Sequence, residues 1–216
     1  MAHRHVLEHV GRLHWWPAES PFEIVVGAIL TQNTAWTRVE EAMTNLRAAD
    51  LLDANRLADL PREELEDLIR PAGTFRIKAG YLGNVLDWLT GRYGGDVERA
   101  LAGDTMEKRA ELLAQNGVGR ETADSILCYA GGHAIFVVDA YTRRILRRHG
   151  PLEGDEPYDT IREWFEARLP RDAGVLNEVH AQIVVIGKDW CRPRRPRCET
   201  CPLEFLFERT GRERPA

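Results

Sequence analysis

One carboxylate in this chain stands where a buried negative charge has a task to perform. Asp139 closes the run Ala134-Ile135-Phe136-Val137-Val138, the kind of run that ends buried, so its carboxylate is expected at the mouth of a pocket. A carboxylate held near a sugar stabilises positive charge developing there and can orient an attacking water. Upstream, Gly117-Val118-Gly119 lets the backbone turn sharply and approach another molecule, because neither glycine carries a Cβ. The helix that starts at once behind it aims its first amides outward, a ready seat for a phosphate. Three cysteines follow in a metal-like spacing, Cys191-x6-Cys198-x2-Cys201, while Cys128, in an apolar helical run, reads as a buried structural thiol. Trp15 and Trp16 precede Pro17; two adjacent indoles cannot face one core from a helix, and proline pushes Trp16 toward an extended backbone. One indole is therefore expected in the core and the other lining a cavity.

The elements that must position these groups are helical. Ser20 caps and Pro21 opens a buried helix carrying Phe22, Ile24, Val25, Ala28 and Ile29. The polar patch Thr31-Gln32-Asn33-Thr34 interrupts it, and helical periodicity resumes over Trp36 to Leu46. Leu51 to Asn116 reads as short amphipathic helices, with Asp104 or Thr105 capping the one that leads to the hairpin. Lys78 sits in a Phe75-Arg76-Ile77-Lys78 turn, where it is expected as a solvated cation. Helices are predicted over Ala140 to His149, Thr160 to Leu169 and Gly174 to Trp190. The strongly β-like runs are Ala134 to Val138 and Ile183 to Ile186, both short. The expected fold is all-α and two-lobed. Residues 21–131 would form a central helical lobe, and residues 1–20 plus 132–216 a second lobe with the cysteine loop. A cleft between them would hold Asp139 and the pocket aromatics.

Composition narrows the classes. A chain of 216 residues is one large domain or two small lobes. The net charge of −5 excludes a uniformly basic coat, but a nucleic-acid binder needs only a local footprint. Two candidates are Arg143, Arg144, Arg147 and Arg148, and the loop bearing Arg192, Arg194, Arg195 and Arg197. Four cysteines, one apart from the others, do not make a secreted disulfide framework. No apolar run approaches a membrane span, and MAHRHVLEHVGRLHWWP lacks the apolar core of a signal peptide, which predicts a cytoplasmic protein, expected as a monomer.

The segment Leu112 to Tyr141, with L-x-x-x-x-G-V-G-x-x-T-A followed by V-V-D, resembles the helix-hairpin-helix Gly/Pro-Asp loop of the endonuclease III superfamily of DNA glycosylases. Within it, GVGRETADSILCYA is most similar to the bacterial 3-methyladenine DNA glycosylase III proteins, and the resemblance extends over roughly residues 14–201. It implies double-stranded DNA with damaged bases as partner, and Asp139 as the catalytic carboxylate. It places Gln32 in the gap left by an extruded nucleotide, with Asn33, Gly117, Val118, Gly119, Arg120, Thr122 and Arg194 at the DNA. Trp36 would correspond to an aromatic of the base pocket, with Trp15, Trp16 and Pro17 around it. Lys188 would match a lysine of the same cleft that can be carbamylated.

Two departures matter. Glu121 stands where the bifunctional endonucleases carry a catalytic lysine, so no amine is there to attack C1′. This implies a monofunctional glycosylase with little strand cleavage, acting on alkylated purines such as 3-methyladenine. The cysteine loop resembles the start of the endonuclease III iron–sulfur loop, but its fourth position is Phe207. A [4Fe–4S] cluster on Cys191, Cys198 and Cys201 would lack one thiolate. Zinc on three thiolates with another donor, or a loop held by packing alone, are the alternatives. Two other functional readings stand beside this one: a glycosylase for oxidised pyrimidines or mismatched thymine, and a DNA-binding module without catalysis.

Overall fold

The computed structural model describes residues 2–11, 13 and 16–211, with the side chains of all of these except 2–5 and 209. The helices in chain order are α1 (Ala2–Val10), α2 (Pro21–Leu30), α3 (Trp36–Ala48), α4 (Ala54–Ala58), α5 (Arg62–Leu68), α6 (Phe75–Tyr93), α7 (Val97–Leu101), α8 (Thr105–Leu113), α9 (Arg120–Ser125), α10 (Ala140–His149), α11 (Tyr158–Glu166), α12 (Ala173–Asp189) and α13 (Phe205–Thr210). A π-helical turn, Ile126–Ala130, extends α9. Among the described residues there is no strand, and no helix is long and apolar enough to cross a membrane. The chain divides into a central unit, Trp16–His133, and a discontinuous unit, Met1–Trp15 with Ala134–Ala216.

The central unit is built on α2. Ser20 caps it, its Oγ accepting from the Glu23 amide at 3.3 Å, and Pro21 occupies the first turn. Apolar side chains surround this helix: Val26, Ile29 and Leu30 are fully buried, as expected of a helix inside a bundle. Each such side chain contributes about 1.5–3 kcal/mol on leaving water. The long helix α6 supplies Ala79, Leu82, Val85, Leu86 and Leu89 to the same core.

Lys78, expected in solvent, is buried instead. It lies in the first turn of α6 at 2% exposure, and its Nζ donates to Leu30 O at 2.6 Å, Thr34 Oγ1 at 2.5 Å and Ala72 O at 2.8 Å. An ammonium has three donors and all three are used. Burial lowers its pKa to about 8, so at neutral pH it remains the cation these oxygens require. The charge sits at the C-terminal carbonyl end of α2, where the helix dipole favours it. Lys78→Met keeps the length and removes every donor. It is expected to lower unfolding free energy by about 2–3 kcal/mol, since buried acceptors are left unmatched; an unchanged urea midpoint would contradict this.

In the discontinuous unit α10 packs on α12, and the core gathers Phe136, Val138, Ile145, Leu146, Ile161, Leu176, Ile183 and Ile186. Close approach depends on Gly187 of α12, where a Cβ would lie 2.4 Å from the Tyr141 ring. Both β-like runs resolve differently from a strand. Ile183 to Ile186 lies inside α12. Residues 134–138 are irregular and buried from Ile135 onward, and side chains serve their amides: Phe136 N donates to Glu166 Oε1 at 2.9 Å, and Val138 N to Tyr158 Oη at 3.2 Å. With no partner strand, these side chains take the place of a ladder.

The first basic cluster is also redirected. Arg143 donates to Gly154 O and Glu156 O, Arg144 to Cys191 O and Gly187 O, and Arg148 to Arg192 O and Pro193 O. These three guanidinium groups tie α10 to α12 and to the loops around it, while Arg147 of the same cluster is exposed.

Candidate active site

Asp139 is buried at 9% exposure and caps α10. Its Oδ1 accepts from the Thr142 amide at 2.7 Å and the Thr142 hydroxyl at 2.8 Å. Its Oδ2 faces His180 Nε2 at 3.6 Å. Burial by itself would raise the carboxyl pKa, but His180 and the two Thr142 donors outweigh it and hold the group below its ordinary value. The side chain is therefore an anion with one oxygen locked by the helix cap. His180 comes from the middle of α12, is itself buried, and turns its ring edgewise to Phe136, centroids 6.2 Å apart. Nothing in the local sequence marks it. Lys188 lies on the last turn of the same helix and is exposed.

The central unit holds a cavity of about 550 Å³ lined by Trp16, Pro17, Glu23, Gly27, Trp36 and Glu40, among others. Trp16 meets Trp36 edge-on, centroids 5.3 Å apart at 72°, and stacks on Tyr129 at 5.3 Å and 29°. Tyr129 escaped the sequence reading because it falls within the apolar run behind the hairpin. Trp16 has φ +68°, not the extended backbone expected ahead of a proline. A bulky residue held in this region is strained, which suits a segment whose ring is fixed by its neighbours. The absence of a Cβ at Gly27 makes room for the indole: one there would lie 3.2 Å from the Trp16 ring. Trp15 lies outside the described residues.

The residues expected at DNA cluster within the central unit. Gln32 Nε2 donates to Gly117 O at 2.9 Å and to Thr122 Oγ1 at 3.1 Å, joining the polar patch to the hairpin. Asn33 is exposed with φ +52°. Gly117 has φ +96°, and a Cβ there would fall 2.1 Å from the Tyr81 ring, so only glycine fits. Val118 is buried, while Gly119, Arg120 and Glu121 are exposed. The hairpin is braced from beneath by Arg109 of α8, whose Nε and Nη2 donate to Asp124 Oδ1 and Oδ2 at 2.6 and 3.2 Å in a fully buried pair. In the discontinuous unit, Arg194, Arg195 and Arg197 are exposed.

The cysteine loop follows α12. Cys191 and Cys201 are buried and Cys198 half-buried. Arg148 Nη1 donates to Cys191 Sγ at 3.1 Å, and burial pushes the Cys201 thiol up to about 11. Phe207, in the fourth position, is buried with its ring 4.2 Å from that of His149. Among the described residues, no three His, Cys, Asp or Glu side chains gather where a metal ion could be held. The side chains present thus do not compose a four-thiolate set: a core phenyl ring fills the fourth place, and no step below depends on a cluster.

Comparison with known proteins gives this geometry a context. Residues 26–171 match the HhH-GPD superfamily of base excision DNA repair proteins. A Methanocaldococcus jannaschii protein named as a DNA repair glycosylase is 46% identical over 94% of this chain and 93% of its own length. The structure of endonuclease III trapped as a covalent intermediate with DNA superposes with a TM-score of 0.81 at 25% identity, covering 95% of this chain and 92% of that one. H. pylori 3-methyladenine DNA glycosylase bound to 1,N6-ethenoadenine gives 0.72 at 27% identity, covering 85% and 91%. The hairpin, the buried Asp139 and these likenesses converge: the chain belongs to the HhH-GPD superfamily and is a base excision repair DNA glycosylase of the endonuclease III family.

Proposed function

We propose that the enzyme is a monofunctional glycosylase that releases cationic alkylated purines, such as 3-methyladenine, from duplex DNA. The observation that carries this reading is the central-unit cavity lined by the Trp16 and Trp36 rings, with Glu40 on its wall and Glu23 paired there to Arg47 at 2.8 Å. An N3-methylated adenine is already positively charged, and an aromatic face attracts a cation by about 0.5–2 kcal/mol. Its glycosidic bond is weakened by that charge, so no acid is needed to protonate the leaving base. A pocket for oxidised pyrimidines would be expected to offer more polar contacts to the base edge.

In this reading the damaged nucleotide leaves the stack, at a cost that is smaller for a damaged base. Gln32 and the hairpin hold the opened duplex, and Arg194 positions the backbone without reading sequence. The glycosidic electron pair departs with the base, leaving an oxocarbenium-like sugar. The Asp139 anion stabilises that charge and orients the water whose oxygen bonds to C1′, the water's proton passing to solvent as the neutral base leaves. A purely DNA-binding module would need Asp139 only as the cap of α10, a task that asparagine performs as well without a charge that repels phosphate.

Glu121 in the first turn of α9 supplies no amine for a Schiff base. Lys78 has a lowered pKa, but all three of its N–H donors are engaged within the central unit. Borohydride added during the reaction is therefore expected to trap no protein–DNA adduct, while free base accumulates and the strand stays intact until alkali is added. A reducible adduct formed at the rate of base release would overturn the monofunctional reading.

A further inference from the structure

We infer that His180 is a positioning residue for the catalytic carboxylate, seated against the Asp139 oxygen that the helix cap leaves open; the inference rests on the glycosylase reading of Asp139. The two oxygens of this side chain have different surroundings. Oδ1 is committed to the α10 cap through both Thr142 donors. Oδ2 is the oxygen left to meet a sugar or a water, and His180 Nε2 stands 3.6 Å from it. The cap fixes Oδ1 and with it the carboxylate plane. His180 sets a polar nitrogen beside the oxygen that the cap leaves open.

The histidine is well placed to serve. It is 5% exposed and comes from α12, which packs directly on α10. Phe136 lies edge-on to its ring and is itself backed by Phe165, stacked on it at 4.0 Å, so one side of the imidazole meets a fixed aromatic ring. The other titratable groups nearby are engaged elsewhere. Tyr158 accepts from the Val138 amide, Glu166 accepts from the Phe136 amide, and Glu178, earlier on α12, accepts from the Leu13 amide. The direction of the Asp139 pKa agrees with this arrangement, since burial raises it and His180 acts with the Thr142 donors to lower it.

The test compares His180→Leu with His180→Gln, whose amide nitrogen can replace Nε2. Single-turnover release of 3-methyladenine by His180→Leu is expected to fall about 100-fold, the scale of a misplaced reacting group. The Kd for lesion DNA should stay within about twofold, and His180→Gln should restore most of the rate. The acid limb of the pH–rate profile should move upward in His180→Leu. In the Asp139→Asn background, His180→Leu should add no further loss. Should His180→Leu fail to fold, His180→Asn, too short to reach Oδ2, takes its place. A rate within threefold of wild type overturns the inference, as does an equal loss in His180→Gln with no shift of the acid limb. A readout without substrate decides the matter even if wild type proves inert: the Asp139 carboxyl carbon, followed by NMR, should titrate at higher pH in the leucine variant. An unmoved midpoint refutes the role of His180, whereas an inert wild type refutes only the lesion reading.

Discussion

Asp139→Asn is expected to cut base release by on the order of 10²–10³-fold while leaving the protein folded and bound to DNA. The size follows from losing one preorganised electrostatic group aimed at developing charge. The fold should survive because asparagine is as good a helix cap as aspartate, and its amide oxygen can still accept from the Thr142 donors. Binding should hold or improve, because a negative charge is removed from a surface that meets phosphates. Asp139→Ala differs in a useful way: it loses the cap as well, at about 1 kcal/mol of stability. The pH dependence has a defined sign. Asp139 titrates below its unfolded value, so its contribution to stability is complete above that value and is lost as pH falls through the folded pKa. Loss of activity on mild acidification above the ordinary carboxylate range is thus not due to Asp139. Asp139→Asn with wild-type release in a single-turnover assay would remove the residue from the mechanism.

Breaking the buried pair beneath the hairpin should give the largest change in stability. Arg109→Met leaves the Asp124 carboxylate at 0% exposure without its two charge-assisted hydrogen bonds. Removing one partner of a buried ion pair costs about 3–5 kcal/mol, which for a chain of this size lowers Tm by roughly 6–20 °C at about 2–4 °C per kcal/mol. The hairpin should feel this first, since α8 and α9 flank it and Asp124 lies on α9. Replacing both partners, Arg109→Met with Asp124→Leu, removes the stranded charge and is expected to recover most of the loss. Equal Tm values for the single variant and wild type, measured by calorimetry, would show that the pair does not brace the motif.

Much of the fold was legible because its signals are local. The α10 bounds, Ala140 to His149, follow from Asp139 as cap and the apolar spacing of Ile145 and Leu146. The α2 start follows from Ser20-Pro21, and the hairpin from two glycines. What stayed hidden was long-range pairing. Lys78 looks like any lysine in a polar turn, yet its partners come from Leu30, Thr34 and Ala72, brought in by folding. His180 lies in the predicted helix Gly174 to Trp190, where its neighbours in sequence give it no role; only the packing of α10 on α12 sets it beside Asp139. The α10 arginines read as a phosphate footprint because sequence shows charge and not its carbonyl partners. Trp16 departs from the expectation set by Pro17 because contacts with Trp36, Tyr129 and Gly27 override the local preference.

The most direct test of the central claim is to incubate the wild-type enzyme with methylated duplex DNA, identify the free bases released, and run duplexes carrying an oxidised pyrimidine or a mismatched thymine beside it. Preference for a cationic base, with a carboxylate and no amine doing the chemistry, predicts free 3-methyladenine and an unbroken strand, with little release from the other two duplexes. Release of oxidised pyrimidine or thymine, with methylated purines left in place, would contradict the substrate assignment. Strand cleavage accompanying release would contradict the monofunctional chemistry.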